Sequence, residues 1–210
     1  MNADIITRYF PNLSDKQKEQ FEKLYALYKD WNDKINVISR KDIDNLYERH
    51  ILHSLTIAAF LGELVPKTRI VDVGTGGGFP GVPLAILYPH ASFHLVDRIG
   101  KKLKVAENVC DAVNVENITF QHGDMSECRE TFDFAVSRAA MRLDMLIKIV
   151  RRNISSSNRN KHKNGLICLK GGDLTEETKG INLPVIEFPI KEYFHEDFFD
   201  TKKIIYVPIV

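Results

Sequence analysis

The stretch RIVDVGTGGGFPGVPLA, residues 69–85, decides the fold. A short apolar run ends with Asp72 and Val73, and glycines then occupy positions 74, 76, 77 and 78. Glycine loses more conformational entropy on folding than any other residue, so a cluster of glycines indicates positive φ angles or a close approach to the backbone. A strand, a glycine-rich turn and an apolar helix are typical of a parallel sheet that binds a nucleotide-containing ligand beyond the carboxyl ends of its strands.

The hydrophobic pattern elsewhere predicts a helical extension followed by an α/β sheet. Helical periods run over 13–32 and 42–64, and Ser14 and Gln17 have the spacing of a capping box. From residue 67 onward strands and helices alternate, which predicts a mostly parallel sheet with helices on both faces. We expect an extension, 1–66, packed on an α/β domain, 67–210. Strands are predicted at 69–73, 92–97, 117–124, 131–139 and 165–171, helices at 81–89, 100–113 and 143–154, and two antiparallel closing strands within 183–210.

Composition favours a soluble cytoplasmic protein. Of the 210 residues 44% are hydrophobic and 27% are charged, and no apolar run is long enough to cross a bilayer. The N-terminus lacks the layout of a signal peptide. The cysteines Cys110, Cys128 and Cys168 have neither disulfide nor metal-site spacing, so we expect reduced thiols and no metal. A net charge of +1 argues mildly against binding of free RNA or DNA, although a local basic patch can still bind nucleic acid.

The glycine pattern departs from the dinucleotide fingerprint G-x-G-x-x-G. Counted from Gly74, the third glycine is replaced by Phe79, and Pro80 follows where a diphosphate would need bare backbone. The pattern is instead D-x-G-x-G-x-G, with Asp72, Gly74, Gly76 and Gly78. We therefore expect a cofactor without a diphosphate, which opposes a nicotinamide oxidoreductase.

Two further aspartates favour an adenosine as the ligand. Asp97 ends the second strand, where a carboxylate can accept both ribose hydroxyls, and Asp124 follows the third strand near an adenine pocket. S-adenosylmethionine is an adenosine without phosphates, and its cationic amino and sulfonium groups favour nearby carboxylates. A turn or a helix cap remains the alternative role for each aspartate.

The residues now indicate a resemblance over nearly the whole chain to the ribosomal RNA small subunit methyltransferase G family, also called glucose-inhibited division protein B. WNDKINVIS (31–39) is similar to the family's W-N-x-x-x-N-L-T, and ERHILHS (48–54) to its R-H-x-x-D-S. DVGTGGGFPGVPLA resembles its D-x-G-S/T-G-x-G-x-P-G-x-P-L-A and is more specific than the first glycines alone. LVDRIGKKLKV, VSRA (136–139) and LKG (169–171) match its later motifs.

This resemblance implies a class I, Rossmann-like methyltransferase fold and transfer of a methyl group from S-adenosylmethionine to guanine N7 in small-subunit ribosomal RNA. The implied partner is the assembled or assembling small subunit, and we expect a monomer. By motif match Gly74 and Phe79 line the cofactor, Met125 and Ser126 flank the adenine, and Arg138 closes the site. Guanine N7 carries a free lone pair, so no general base is needed.

Arg138 and Lys170, at the ends of the fourth and fifth strands, are the candidate catalytic residues. Each could hold phosphate or the guanine O6 atom, and Arg138 alternatively a carboxylate on the cofactor side. A surface ion pair is the alternative for Arg138, and an ordinary strand-end lysine for Lys170. His50 and His53, three apart, are more often packing residues than ligands.

Two features depart from the family pattern. His53 replaces the usual aspartate, which leaves Arg49 or His50 with a different partner. The basic insertion 155–164 is longer than the short turn expected before the fifth strand. The stretch 151–165, which contains it, can be a solvated loop, a flap for a phosphate backbone, or both. Two alternative functions also stay open: a non-catalytic ribosome- or RNA-binding protein on the same fold, and a methyltransferase for a small molecule.

Overall fold

The computed structural model describes residues 3–138 and 141–210. These residues contain a seven-stranded sheet in the order β3-β2-β1-β4-β5-β7-β6. Strands β1 to β5 are parallel, whereas β7 is antiparallel to β5 and β6 is antiparallel to β7. The expected mostly parallel α/β sheet with an antiparallel close is therefore confirmed. The strands are β1 (Arg69–Val73), β2 (Ser92–Asp97), β3 (Ile118–His122), β4 (Phe134–Arg138), β5 (Gly165–Gly171), β6 (Ile186–Pro189) and β7 (Lys202–Pro208).

The strand order creates a crevice at one place on the sheet edge. Strand β1 pairs with β2 on one side and with β4 on the other. Strands β2 and β3 are thus added on one side of β1, and the later strands on its other side. In open α/β sheets ligands bind outside the carboxyl ends of the strands at such a switch point. The glycine-rich turn lies there, and the Gly74 amide donates to the Val96 carbonyl at 2.9 Å.

Helices cover both faces of this sheet. Ser14 and Gln17 form the predicted capping box at the start of the longest one. The helix 143–154 expected after the fourth strand ends earlier, at Val150, and one 3₁₀ turn follows it at Arg151–Asn153. The helices are α1 (Asp4–Tyr9), α2 (Asp15–Lys34), α3 (His53–Leu61), α4 (Gly81–Leu87), α5 (Gly100–Ala112), α6 (Leu143–Val150) and the single turn α7 (Thr175–Thr178).

The single helix predicted over 42–64 is wrong in its first half. A 3₁₀ turn spans Ile43–Asn45, a π-helical segment spans Leu46–Leu52, and regular α-helix begins only at His53. Apolar side chains of this region are fully buried at several angles around the axis, so a strict 3.6-residue repeat is not required to bury them. Arg49 and His50, in the π-helical segment, both contact Asp42, and these contacts hold the widened turns. Such π-helical turns occur frequently at functional sites.

The N-terminal extension shares its core with the sheet. The side chains of Phe21, Leu24 and Tyr28 are buried in the same hydrophobic cluster as α4, α5 and the strands. The Gln20 side-chain amide donates to the Val113 carbonyl at 2.8 Å, and the Tyr28 hydroxyl donates to the Gly77 carbonyl at 2.8 Å. Helix α2 is thereby fixed directly beside the glycine-rich turn.

Among residues 3–138 and 141–210, no helix has both the length and the apolarity that a bilayer crossing requires. The same residues contain no group of three histidine, cysteine or acidic side chains arranged to hold a metal ion. All three cysteines are buried free thiols.

Candidate functional site

A cavity of about 300 Å³ opens at the carboxyl ends of β1, β2 and β3. Gly74, Asp97 and Met125, all expected at the cofactor, line it, as does Asp124. Apolar atoms make up most of its wall, with Ile99, Met141 and Ile149 among the lining residues. Mostly apolar clefts with a few polar groups are typical of small-molecule sites.

Asp97 ties the glycine turn to the end of β2. One of its oxygens, Oδ2, accepts the Gly76 amide at 2.7 Å, and the other, Oδ1, accepts the Ile99 amide at 2.8 Å. Each carboxylate oxygen can accept a second hydrogen bond. The carboxylate therefore has both a turn-capping role and free acceptor capacity toward the cavity.

The glycines of the turn are needed for two different reasons. Gly76 has a φ of +57°, a left-handed backbone conformation that residues with a side chain rarely adopt. This conformation presents the Gly76 amide to Asp97. At Gly78, with φ +102°, a Cβ would lie 2.5 Å from Val82 Cγ2 and 3.2 Å from the Tyr28 hydroxyl. The atoms that lie close to the Gly78 backbone are thus side-chain atoms of the protein's own helices and not those of a ligand.

Asp124 caps a short turn at the cavity mouth. Its Oδ1 accepts the Ser126 amide at 2.7 Å, and its Oδ2 pairs with the Arg98 guanidinium. The hydrogen bond from Ser126, followed by the Arg98 charge, holds the pKa of Asp124 below its usual value. Met125 is buried against the cavity, whereas Ser126 is exposed beside it and outside the lining.

Phe79 lies behind the turn and does not line the cavity. Its ring is buried, with the Tyr28 ring centroid at 4.8 Å and the His50 ring centroid at 5.6 Å. The guanidinium carbon of Arg138 stands 5.0 Å from the Phe79 centroid, a cation–π distance. The bulky residue that replaces the fingerprint glycine therefore forms a platform for Arg138.

Arg138 is directed toward the N-terminal extension. Its Nη1 donates to the Arg49 carbonyl at 3.3 Å, and its Nη2 contacts His50 Nδ1 at 3.1 Å. Burial lowers the pKa of Arg138 to about 10, although the Asp72 carboxyl opposes this shift. Arginine stays protonated at that value near neutral pH, so a half-buried positive charge lies at the end of β4.

Asp42 connects the two basic residues of the π-helical segment. It accepts from Arg49 Nη1 at 2.8 Å and pairs with His50 Nε2 at 2.9 Å. Burial and the positive charge of Arg138 lower the pKa of His50 to about 4. Asp42 is thus the different partner that the sequence required for Arg49 and His50.

His53, which stands where the family pattern has an aspartate, forms no ion pair with any residue that the structure describes. Its ring is buried edge-on against Phe198 at 5.4 Å and Phe199 at 5.9 Å. Burial, together with the charges of Arg138 and Lys202, lowers its pKa well below the ordinary value. His53 Nε2 has no hydrogen-bond partner within the described parts of the chain, so the neutral ring acts there as packing.

Asp72, buried beneath the glycine-rich turn, accepts hydrogen bonds from the turn and from the start of α4. Its Oδ2 accepts from the Thr75 hydroxyl at 2.6 Å and from the Gly81 amide at 2.8 Å. Its Oδ1 is buried and lacks a partner among residues 3–138 and 141–210. Burial raises the pKa of Asp72 to about 7. The carboxyl is fully buried and does not line the cavity.

Lys170 is engaged at the end of β5. Its ammonium donates to the Met141 carbonyl at 2.6 Å and to Glu177 Oε2 at 2.8 Å, and its side chain is only 10% exposed. Contact with a phosphate or with O6 would require it to leave Glu177. In this structure Lys170 instead fixes the start of α6 against α7.

The structure places Ser126 beside the cavity, directs Arg138 toward the extension and engages Lys170 with Glu177, and it separates the other predicted residues into two groups. Gly74, Asp97 and Met125 meet at the cavity, whereas Gly76, Gly78 and Phe79 shape the turn behind it. Sequence reasoning missed Asp42, which the helical period places at the start of a regular helix but which lies in a turn before it, and the apolar cavity wall formed by Ile99, Met141 and Ile149. The closing alanine of the VSRA motif, residue 139, lies outside the described residues.

Comparison with known proteins agrees with this arrangement. The profile of the family described as rRNA small subunit methyltransferase G matches residues 17–183. The chain is 56% identical over 206 residues to "Ribosomal RNA small subunit methyltransferase G" of Phocaeicola vulgatus, covering 98% of both chains. It is 54% identical over 206 residues to the protein of that name from Bacteroides thetaiotaomicron, covering 98% of this chain and 100% of the relative.

Among solved structures, a SAM-dependent methyltransferase from Aquifex aeolicus superimposes with a TM-score of 0.59 at 13% identity, covering 82% of this chain and 100% of that one. At this identity the likeness concerns the fold alone, and it confirms the expected methyltransferase fold. The family profile covers most of the sequence and both relatives align over nearly all of it, so the chain belongs to the rRNA small subunit methyltransferase G family.

Proposed function

We propose that the protein transfers the methyl group of S-adenosylmethionine to N7 of a guanine in small-subunit ribosomal RNA, within an assembled or assembling subunit. Family membership supports an RNA methyltransferase. The chemistry of the cavity supports both the cofactor and the nitrogen that accepts the methyl group.

The residues of the cavity fit S-adenosylmethionine. Asp97 keeps free acceptor capacity for ribose hydroxyls, and Met125, Ile99 and Ile149 offer apolar surface to an adenine ring. Arg98 at the wall pairs with Asp124, which leaves the Asp97 carboxylate as the negative charge that favours a ligand with cationic groups. We assign Gly74, Asp97 and Met125 to direct contacts, with Ser126 at the adenine edge and Gly76, Gly78 and Phe79 holding the turn.

The observation that carries the N7 assignment is that the wall offers no poised general base. Asp124 is hydrogen-bonded and its pKa is lowered, which makes it a weak base. Asp97 already accepts two backbone amides. Burial raises the pKa of two carboxyls among the described residues, Asp72 and Glu48, and neither of them lines the cavity. A nucleophile with its own lone pair, such as guanine N7, needs no such base.

When bound, S-adenosylmethionine supplies a methyl carbon on a cationic sulfur. Transfer of that methyl group to the N7 lone pair would return the carbon–sulfur electrons to sulfur and would leave the positive charge on the guanine. The protein's task is to position the base and exclude water. Arg138 would hold the extension and the strand end together, or contact O6 or phosphate, and it would avoid the ring edge that becomes positive.

In the test, the protein is incubated with methyl-labelled S-adenosylmethionine and with small ribosomal subunits from cells that lack this protein. The RNA is then digested, and the labelled nucleoside is identified and mapped. We expect label in 7-methylguanosine at one position. Label only in protein or small molecules would contradict an RNA substrate, and label in another guanine atom would contradict the N7 assignment alone.

A further inference from the structure

The segment 151–163 concentrates positive charge on a chain that is nearly neutral. It contains Arg151, Arg152, Arg159, Lys161 and Lys163 and no acidic residue, whereas the net charge of the whole chain is +1. The stretch 192–200, by contrast, carries four acids and no lysine or arginine. Charge of one sign that serves solubility alone is usually interspersed with the other sign.

This segment is anchored and is not a freely solvated loop. The Asn153 side-chain amide is buried and donates to the carbonyls of Cys128 and Glu130 at 3.1 and 2.7 Å. The Asn164 amide is buried and donates to the carbonyls of Ser155 and Ser157 at 2.9 and 3.0 Å. These internal hydrogen bonds give the segment one shape.

Its second half is fixed to the amino-terminal edge of the sheet. The Asn160 side-chain oxygen accepts the Val65 amide at 3.0 Å, just before β1. Arg159 donates to the buried Asp133 at 3.0 Å, just before β4, and to the Lys67 carbonyl at 3.1 Å. The His162 ring lies 3.1 Å from the Phe60 carbonyl. This second half therefore lies at the sheet edge opposite the cavity, whereas Arg152, at the start of the segment, donates to the Ser126 carbonyl beside the cavity.

Its lysines extend from this platform into solvent. Lys67, Lys161 and Lys163 are exposed, and within the described residues none of them forms an ion pair. Together with the partly engaged Arg159 they form a surface that we name the basic edge: Lys67, Arg159, Lys161 and Lys163. Clustered lysines of this kind attract phosphate oxygens, and release of condensed counterions makes such binding depend steeply on salt.

The basic edge suits a helical RNA better than a single strand. Single strands are held by aromatic side chains on which bases stack. The one ring in the segment, His162, is already stacked on Phe60 at a centroid distance of 4.4 Å. Double-stranded RNA is recognised mainly by its shape and phosphates, which lysines can contact without reading sequence.

The distance between the two edges means that the nucleotide whose base enters the cavity does not itself reach the basic edge. Strand β5 has seven residues, and at about 3.3 Å per residue its ends lie about 20 Å apart. We infer that the basic edge binds the phosphate backbone of a second, helical RNA segment, separate from the strand whose base enters the cavity. This inference rests on the proposed RNA substrate and explains how a nearly neutral protein would prefer a folded subunit to a short fragment.

The first experiment measures binding of a generic RNA duplex to the full-length protein by fluorescence anisotropy across a salt titration. The variant is Lys161→Gln with Lys163→Gln. The control is Lys16→Gln with Lys191→Gln, two exposed lysines far from this edge in sequence that form no ion pair in the described regions. We expect the variant to reduce the slope of log affinity against log salt by about 2, one for each lost phosphate contact, and the control to keep the wild-type slope.

The second experiment compares methylation of intact small subunits with that of a short fragment carrying the target guanine. The variant should raise KM for subunits several-fold, leave kcat unchanged, and leave the rate on the fragment unchanged. The inference would be overturned if variant and wild type had equal salt slopes and equal KM values. It would also be overturned if variant and control lost the same amount, or if the wild type did not bind the duplex. If no RNA is methylated, the proposed function fails, while the duplex measurement still decides whether this edge binds RNA.

Discussion

Arg138, at the end of β4, contacts Nδ1 of His50 through its Nη2 atom at 3.1 Å, joining residues 88 positions apart in sequence. A guanidinium can only donate, so Nδ1 is the acceptor and the ring proton resides on Nε2. That proton is then donated to Asp42 Oδ2 at 2.9 Å. One hydrogen-bonded line therefore runs from the sheet edge through the π-helical segment to Asp42.

Removing Arg138 should separate the extension from the strand end. In Arg138→Ala we expect methylation to fall by about 10-fold or more, because hydrogen bonds from a charged group each contribute about 1.5–3 kcal/mol. Initial rates with labelled donor measure this effect, and chemical denaturation shows whether the fold survives. Arg129→Ala, at an exposed arginine outside the basic segment, is the control and should keep the wild-type rate. Full turnover in Arg138→Ala would remove this residue from the site.

His50 should make the protein less stable as the pH falls. Burial lowers its pKa to about 4 from an ordinary value near 6.5, so below pH 6.5 the unfolded chain binds a proton that the folded protein does not. The free energy of unfolding should therefore decrease between pH 6.5 and about 4, by about 1.4 kcal/mol per pH unit for this one group.

The measurement compares urea unfolding of the wild type with that of His50→Gln across this range. The slope against pH should be shallower in the variant by about one proton, while the two curves run parallel above pH 7. The pKa of His53 is also lowered, mainly by burial, which His50→Gln leaves in place, so most of its contribution is common to both proteins. Identical slopes would mean that His50 gains its proton in the folded state as readily as in the unfolded one.

Sequence patterns could predict the cavity because its residues obey a general rule of parallel sheets. Asp97 and Met125 follow the carboxyl ends of β2 and β3, and such ends meet at one edge. The pairing of His50 with Asp42 could not be predicted, because it requires the π-helical turns and an irregular segment to fold onto β4. The anchoring of 151–163 was hidden for a similar reason: Asn160 and Arg159 bond to Val65 and Asp133, which are distant in sequence.

Asp97→Asn should weaken binding of S-adenosylmethionine. An asparagine has one carbonyl oxygen, so it can accept either the Gly76 or the Ile99 amide, and its NH₂ group would face the other donor. Loss of a charged hydrogen bond of about 1.5–3 kcal/mol corresponds to roughly 10- to 100-fold in affinity. Calorimetry measures the change, with Asp111→Asn, an exposed site on α5, as the control. Unchanged affinity would mean that neither the turn-capping bonds of Asp97 nor a contact of its carboxylate with the ribose contributes to cofactor binding.

Gly78 should tolerate no side chain, because the protein itself fills the space. A Cβ there would lie 2.5 Å from Val82 Cγ2 and 3.1 Å from Ala106 Cβ, in addition to the strain of a φ of +102°. Gly172 is the matched control, since its φ is +76° and nothing lies within 4 Å of an added Cβ. Backbone strain alone costs about 1 kcal/mol, and overpacking adds about 1–3 kcal/mol. Chemical denaturation should therefore show a clearly larger loss for Gly78→Ala than for Gly172→Ala, and equal losses would mean that α4 moves aside without cost.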